Sequence, residues 1–332
     1  MMRTRFTQLV GVEHPIMLGG MYVVGRASLA AAVSEAGGLG TITSKTLSSS
    51  DDFRAEVRKL RSLTTRPIAV NLNLFPSSTP TPNEAYIDIL AEEGVRIVET
   101  SGRSPEPLMK RLKDYGLTVI HKVPGVRYAV TAERIGVDAV SVVGNETGGH
   151  PGMTDVGAMV LTPRTVDAVS IPVLTGGGIG DGRGILAALA LGAEGVVLGT
   201  RFMATVESLV HQSVKQWMVE ADENSTVVIQ RSIGSPSRVA RNRLALHVDQ
   251  MERTGASFEE ILPSISGQRA KVRVYHEGQL DDGVWSCGQV VGLVQDIPTV
   301  ASLISRMMNQ AEKTYARIGG LIAPDESIQG WT

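Results

Sequence analysis

The sequence predicts an α/β protein built on a (β/α)₈ TIM barrel, and three observations lead to this prediction. Short β-rich runs alternate with amphipathic helical segments along the first two-thirds of the chain. Most of these runs are almost continuously apolar, which is typical of parallel strands that are buried on both faces. Glycine is abundant, with 36 of 332 residues, whereas aromatic residues make up only 4%. This balance favours many tight βα turns over aromatic packing between sheets.

Eight strands are predicted along the chain. They lie at residues 15–17, 39–42, 68–72, 97–100, 118–122, 139–143, 173–175 and 196–198. Eight strands spaced roughly twenty to thirty residues apart, with helices between them, are what a (β/α)₈ barrel requires. The alternative is a doubly wound open sheet, which usually carries a G-x-G-x-x-G turn after its first strand. Here the first strand runs into Leu18-Gly19-Gly20-Met21 instead, so the barrel is favoured.

Amphipathic helices are predicted between the strands, and glycines mark their ends. The helical segments include residues 27–36, 53–63, 86–93, 107–115 and 129–135. Several helices end at a glycine that the next strand follows directly, which predicts C-terminal caps with a positive φ. These glycines are Gly94, Gly116, Gly136 and Gly192.

The alternation of strands and helices stops near Thr205, and this defines the predicted domains. Residues 1–205 are predicted to form the barrel. Residues 206–268 are more polar and helical in character, with a break at Pro263 and Gly267, and we expect a helical subdomain inserted after strand eight over one rim. Residues 269–332 then form a return segment and a C-terminal helix, patterned over 294–318, that packs back on the barrel.

Charge and composition exclude several classes of function. The net charge is −2 with both signs interspersed, and no basic stripe indicates a nucleic-acid partner. The one cysteine, Cys287, excludes an internal disulfide and a thiolate metal cluster. No apolar run is long enough for a membrane span or a signal peptide, so a cytoplasmic location is expected.

The densest functional signal is a pair of glycine-rich turns after the last two strands. Strand seven leads into Thr175-Gly176-Gly177-Gly178-Ile179-Gly180, and a helix is predicted to begin near Asp181. Strand eight ends in Gly199-Thr200-Arg201. Without a Cβ, backbone N–H groups can converge on an anion, and the helix N-terminus adds positive potential. Barrel loops seven and eight commonly bind phosphate, so a phosphate site is predicted, although glycines also occur simply to permit tight turns.

The opposite side of the barrel mouth carries amide and cationic groups. Gly19-Gly20-Met21 follows strand one, Asn71-Leu72-Asn73 ends strand three and His121-Lys122 ends strand five. Such a rim suits a flat heteroaromatic ring, because backbone can approach its face while polar side chains bond its edge and a cation stabilises added negative charge.

One histidine stands out among the six. His150 lies between glycines in the loop after strand six, Gly148-Gly149-His150-Pro151-Gly152, at the expected catalytic face. An imidazole there can accept or donate a proton near pH 7. His121 could instead be a hydrogen-bonded core residue. No carboxylate or second histidine lies at ligand spacing from His150, so no metal site is predicted.

Several of these segments together resemble the nitronate monooxygenase (2-nitropropane dioxygenase) family. The matching motifs are Pro15-Ile16-Met17-Leu18-Gly19-Gly20-Met21, Ala36-Gly37-Gly38-Leu39-Gly40, Gly148-Gly149-His150-Pro151-Gly152, the turn 176–184, Gly199-Thr200-Arg201-Phe202, Ser266-Gly267-Gln268 and Asp282-Gly283-Val284-Trp285-Ser286-Cys287-Gly288-Gln289. They occur in order across nearly the whole chain.

The resemblance implies a noncovalently bound FMN, with His150 as the active-site residue. The residues that it implies for the cofactor site are Gly20, Met21, Tyr22, Asn73, Lys122, Gly148, Gly178, Ile179, Gly180, Gly199 and Thr200. Tyr22 departs from close relatives, which carry glutamine at this position, and it would face the pocket mouth. Substrate preference is therefore the property that can least be inferred from the resemblance.

The resemblance leaves the reaction open. Family members oxidise alkyl nitronates with O₂, reduce quinones with NAD(P)H, or reduce enoyl-acyl-carrier-protein. Nitronate oxidation is our first expectation. The proline-rich loop from Pro76 to Pro82 resembles the quinone reductases, although prolines also simply stiffen loops. A redox-inactive phosphate-binding barrel, such as an isomerase or an enzyme similar to inosine-monophosphate dehydrogenase, is less favoured. The latter needs a cysteine nucleophile in a barrel loop, and none is present there. A small-molecule substrate and a candidate homodimer are expected.

Overall fold

The computed structural model describes residues 2–75 and 81–321, and eight parallel strands form its central sheet. The strands are β1 (Ile16–Leu18), β2 (Gly40–Thr43), β3 (Ile68–Asn73), β4 (Ile97–Ser101), β5 (Thr118–Val123), β6 (Ala139–Val143), β7 (Val173–Gly176) and β8 (Gly195–Leu198). From β2 to β8 each strand pairs with the next one along the chain, and β1 pairs with β8. A parallel bridge between Met17 and Leu39 joins β1 to β2 and closes the barrel. The predicted fold class is confirmed.

Helices surround the barrel in the predicted places. They are α1 (Arg5–Val10), α2 (Ala27–Glu35), α3 (Ser50–Leu63), α4 (Asn83–Glu92), α5 (Glu106–Asp114), α6 (Val126–Arg134), α7 (Ala158–Val166), α8 (Gly182–Ala190) and the short α9 (Thr200–Met203). The four glycines predicted as caps all have positive φ, between 65° and 89°. This conformation reverses the chain into the next strand at little steric cost.

An apolar layer fills the lower half of the barrel interior. Its inward-facing side chains include Met17, Leu39, Ile97 and Val197, all of them buried. Phe6 of α1 packs into the same cluster and closes the amino-terminal end of the barrel. The lower barrel is therefore a packed core, and only the carboxyl-terminal end of the strands is available for a site.

The insertion after β8 contains a hairpin as well as helices. Its elements are α10 (Gln212–Glu220), β9 (Thr226–Ile229), β10 (Ser237–Ala240), α11 (Arg243–Arg253), α12 (Phe258–Ile265), α13 (Gly267–Arg269) and a π-helical turn over Ala270–His276. The antiparallel pair β9–β10 was not predicted. Four-residue strands in a polar context show too little periodicity to be distinguished from helix in the sequence. In the structure, backbone bridges from β10 to Gly149 and Ser286 hold the hairpin in place. Pro263 lies inside α12 and does not end it.

The return segment ends in the long helix α14 (Val300–Leu321), which packs on α8 and α2. Gly182 allows this contact, because a Cβ there would collide with the backbone at Met307 and Ala311. α14 thus lies against two of the helices that surround the barrel. Across the described part of the chain, no helix is both long and apolar enough to cross a bilayer.

Candidate active site

The upper interior of the barrel is polar on one side and lined by glycine on the other. Side chains alternate along each strand, so the positions two residues above the apolar layer also face inward. On β2 to β6 these positions carry polar side chains. On β7 the position is a glycine, and β8 and β1 are each followed directly by a glycine at this level. The polar residues are Thr41, Asn71, Glu99, Lys122 and Ser141, and the glycines are Gly176, Gly199 and Gly19. The barrel mouth can thus hold a flat polar group between the two sides.

A buried carboxylate organises the polar side. Glu99 has no solvent exposure. Its Oε2 accepts hydrogen bonds from the Asn71 side chain at 2.7 Å and from the Gly20 N–H at 3.0 Å. Its Oε1 lies 3.0 Å from the Lys122 ammonium, which is partly exposed. This network ties the Gly19–Gly20 turn to β3, β4 and β5.

Several buried polar atoms in the same region have unused hydrogen-bonding capacity. In the described chain, no hydrogen bond is formed by Thr41 Oγ1, Ser141 Oγ or Glu99 Oε1, although the last is paired in charge with Lys122. Buried polar atoms normally have a hydrogen-bond partner, from the protein or from something bound to it. Their position indicates that the barrel mouth is built to contact a polar group.

A cavity of about 80 Å³ lies on the glycine side. This volume suits a phosphate group rather than a whole nucleotide. The residues that line it come from the loops after β1, β6 and β7, from β8 and α9 with the glycine between them, and from the return segment: Met21, Glu146, Thr147, Gly148, Gly177, Gly178, Ile179, Val197, Leu198, Gly199, Thr200, Met203, Ser286, Gly288 and Val290.

Backbone N–H groups are available around this cavity. Gly177 and Gly178 have φ of 97° and 75°, a region that other residues rarely adopt. Within the described residues, the N–H groups of Gly178, Ile179 and Gly199 donate to no other part of the protein. Successive free N–H groups of this kind form a concave anion site.

The N-terminus of α8 does not contribute to this site, contrary to our prediction. Asp181 caps the helix, and its Oδ1 accepts from the N–H groups of Arg183 at 2.9 Å and Gly184 at 3.2 Å. The Gly182 N–H donates to Gln310 of α14 at 2.9 Å. The first amides of α8 are therefore used inside the protein, and the anion site depends on the turns alone.

The return segment closes one wall of the cavity. The Gly288 N–H donates to Thr200 Oγ1 at 3.0 Å, and the Gln289 N–H donates to Glu146 O at 2.9 Å. A Cβ on Gly148 would lie 2.7 Å from Gly288 N, which is too close for any side chain. Glycine at both positions allows the two loops to meet at the cavity.

His150 lies at the mouth beside an aromatic ring. Its ring centroid is 4.9 Å from that of Phe75. Solvent reaches the imidazole of this exposed residue, and partial desolvation of the ring lowers the pKa of His150 below its usual value. The imidazole is then neutral at physiological pH and can accept a proton or a hydrogen bond.

His121 is a core residue, which decides between the two interpretations of the sequence. It is buried on the outer side of β5, and its Nδ1 lies 2.8 Å from Thr100 Oγ1. Burial lowers the pKa of His121 to about 4. Its neighbour Lys122 faces the interior because adjacent strand residues point to opposite faces.

The structure brings together most of the residues that we predicted for the cofactor. Met21, Gly148, Gly178, Ile179, Gly199 and Thr200 line the cavity, while Gly20 and Lys122 belong to the Glu99 network. The Gly20 N–H already donates to Glu99. Their role toward a cofactor stays a prediction.

Three predicted residues lie away from the cavity wall. Asn73, at the end of β3, accepts from the Phe75 N–H at 3.0 Å. Tyr22 packs near Gly267 of the insertion. Gly180 lies behind the cavity, where a Cβ would be 2.6 Å from Val290 Cγ2. Most of the proline-rich loop, including Pro76 and Pro80, is outside the described residues.

Sequence reasoning missed Glu99, Glu146, Arg238 and Gly288. Glu99 had a detectable signal, since a carboxylate within the buried run Ile97-Val98-Glu99-Thr100 is rarely accommodated without a partner. Arg238 had none, because its role depends on a contact with the distant loop at Gly149.

A larger open depression of about 370 Å³ lies elsewhere, between α14 and the loop before β1. It is lined by His14, Ala36, Glu312 and other residues of α14. None of the predicted site residues borders it. The described residues also hold no group of three or more histidine, cysteine or acidic side chains arranged to bind a metal ion.

Comparison with known proteins identifies the family of the chain. The sequence model of the family described as nitronate monooxygenase matches residues 3–310. The chain belongs to the nitronate monooxygenase family. The family resemblance of the motifs is thereby confirmed, and the family places the chain among the oxidoreductases.

Three proteins that resemble the chain carry different names. The chain is 33% identical to a (3aS,4S,5R,7aS)-5-hydroxy-7a-methyl-1-oxo-octahydro-1H-indene-4-carboxyl-CoA dehydrogenase from Rhodococcus jostii, over 97% of this chain and 99% of that protein. It is 31% identical to a probable nitronate monooxygenase from Staphylococcus saprophyticus, over 95% and 99%. The solved structure of FabK from Thermotoga maritima superposes with a TM-score of 0.89 at 39% identity, over 97% and 100%.

Proposed function

We propose that the chain is an FMN-dependent oxidoreductase of the nitronate monooxygenase type. The observation that carries this proposal is the division of the barrel mouth, with unpartnered polar atoms on one side and glycine turns with free N–H groups on the other. A flavin ring needs hydrogen-bonding groups at its edge, and its phosphate needs converging donors. The residues present fit both requirements.

The two halves of the site would hold different parts of FMN. The N–H groups of Gly178, Ile179 and Gly199, with Thr200 at the start of α9, would bind the phosphate. Asn73 and Lys122 at the polar side, together with Met21 from the cavity wall, would contact the ring, as the family resemblance implies. When bound, FMN supplies a centre that accepts electrons from one substrate and passes them to another.

His150 would serve the substrate rather than the cofactor. Partial desolvation lowers the pKa of its imidazole and so favours the neutral form, which can remove the α-proton of a nitroalkane or orient a nitronate by a hydrogen bond. Phe75 lies beside the imidazole, with 4.9 Å between the two ring centroids. With O₂ as electron acceptor, this arrangement supports oxidation of alkyl nitronates, our first candidate reaction.

A second candidate is oxidation or reduction of a thioester-linked substrate with NAD(P)H. The observation that favours it is the full-length match to a protein named as a carboxyl-CoA dehydrogenase, at 33% identity. Quinone reduction by NAD(P)H is the third candidate. It depends on the proline-rich loop, most of which is outside the described residues, so no further observation supports it.

Purification and substrate assays test the proposal. The purified protein should be yellow and should release FMN on denaturation. Turnover should then be compared for propionate 3-nitronate with O₂, for an enoyl-CoA with NADH or NADPH, and for a benzoquinone with the same donors. A colourless protein that binds no added FMN would contradict the cofactor. A flavin-loaded protein that is inactive on the nitronate but active on the thioester would favour the second candidate.

A further inference from the structure

We propose that Glu99 is a positioning residue that holds the Lys122 ammonium inside the barrel mouth and cancels most of its charge. This inference rests on the proposed FMN site, because the charge at Lys122 matters only if a ring that gains negative charge binds beside it. It concerns how strongly the protein stabilises negative charge on a bound ring. Lys122 alone would suggest a strongly cationic site, whereas the pair suggests one that is close to neutral.

The geometry of the carboxylate fixes its orientation. The Gly20 N–H and the Asn71 amide both donate to Oε2, at 3.0 and 2.7 Å. These two bonds leave Oε1 directed toward Lys122, with 3.0 Å between Oε1 and Nζ. Glu99 therefore cannot turn away from the ammonium without breaking two hydrogen bonds in a fully buried position.

The position of the ammonium follows from this contact. Lysine has a flexible stem and a strongly hydrated head group, which usually extends to solvent. Here Nζ is drawn inward to the Gly19–Gly20 turn, 3.6 Å from the point where a Cβ on Gly19 would stand. The Lys122 side chain retains 22% exposure, whereas that of Glu99 has none.

Charge balance gives the expected effect of each partner. Two opposite charges in contact produce a much weaker field at a third point than either charge alone. Replacement of Glu99 by glutamine keeps an acceptor for Gly20 but removes the negative charge, so Lys122 should stabilise an anion more strongly. Loss of Lys122 should have the opposite effect.

Sulfite is a suitable probe, since it forms a reversible anionic adduct with many protein-bound flavins that is followed by absorbance. In the FMN-loaded protein, Glu99→Gln should bind sulfite about tenfold more tightly than wild type. Lys122→Met should bind it more weakly, and Glu99→Asp, which keeps the charge, should remain near wild type. A merely structural role predicts the reverse for Glu99→Gln, because a loosened site would lose sulfite and FMN affinity together.

A second measurement does not require a variant to fold. In wild-type protein freed of FMN, acetic anhydride should label Lys122 roughly tenfold more slowly than the exposed Lys59, because the Lys122 ammonium must leave its contact with the Glu99 carboxylate before the amine can attack the anhydride. Equal labelling, or weaker or unchanged sulfite binding in Glu99→Gln, would overturn the inference. A protein that binds no FMN would contradict the proposed function instead, while the labelling experiment would still test the ion pair.

Discussion

Gly149 and Arg238 exchange two backbone hydrogen bonds, from Gly149 N–H to Arg238 O at 2.9 Å and from Arg238 N–H to Gly149 O at 2.7 Å. The first residue directly precedes His150 in a barrel loop, and the second lies in β10 of the insertion. Val239, the next residue of β10, bridges to Ser286 of the return segment. The insertion thus holds the loop that carries His150, and it joins the two segments that border the cavity.

This contact predicts that Arg238 supports activity without touching the cofactor. Its buried guanidinium donates to Asn145 O at 2.9 Å and to Thr226 Oγ1 at 3.1 Å. Arg238→Ala should lower the free energy of unfolding by about 1.5–3 kcal/mol, the value of hydrogen bonds from a charged donor. It should also reduce kcat several-fold while FMN content is unchanged.

Denaturant unfolding and steady-state kinetics check this prediction. Arg231→Ala is the matched control, since Arg231 is in the same hairpin but forms an exposed ion pair with Asp155. Such a pair contributes no more than about 1 kcal/mol. If both variants show the same stability and the same kcat, the connection between β10 and the His150 loop does not contribute to activity.

Gly178→Val is expected to abolish most FMN binding while the protein stays folded. A side chain at φ 75° is strained, and it would also stand in the turn whose N–H groups face the cavity. Gly94→Val is the control, because Gly94 has φ 72° and open space around it at the end of α4. Both variants should lose about 1–2 kcal/mol of stability, and flavin absorbance should fall only in the first. Full FMN occupancy in Gly178→Val would show that the phosphate binds at another place in the protein.

His150→Ala should separate the roles of base and orienting group. A general base typically contributes about a hundredfold or more in rate. Turnover of a neutral nitroalkane should therefore fall by at least this factor, and turnover of a preformed nitronate should fall much less, since its α-proton is already gone. His247→Ala, at an exposed position of α11, should match wild type with both substrates. Equal losses on both substrates would assign the imidazole to positioning alone.

His121 should make stability depend on pH in a defined window. Its pKa falls from 6.5 to about 4 on folding, so the unfolded chain binds a proton more readily than the folded protein does. The associated stability is present above pH 6.5 and is lost progressively until pH has fallen through 4, by about 3 kcal/mol in total. In His121→Gln, which can keep a bond to Thr100, urea unfolding should show a correspondingly flatter dependence on pH. Parallel curves for variant and wild type would rule out this contribution.

The glycine turns and the polar ends of the strands were predictable because their signals are local. A turn with positive φ selects glycine at one position, and a buried parallel strand selects an apolar run, so both can be read without knowing what lies opposite. The caps at Gly94, Gly116, Gly136 and Gly192 are confirmed for this reason. The prediction for the α8 amides was wrong for two reasons: the adjacent Asp181 accepts from the N–H groups of Arg183 and Gly184, and the acceptor of the Gly182 N–H, Gln310, lies 128 residues away in the sequence.

The sequence by itself determined the barrel, the order of its loops and the family. Strand and helix periodicities are local properties, and the order of the glycine motifs along the chain follows from them. Only the tertiary structure decided which side chains meet. Glu99 is 79 residues from Gly20, and the Gly288 N–H reaches Thr200 across 88 residues. No local pattern specifies such pairs, since a carboxylate or a glycine is equally compatible with many partners until barrel closure fixes one.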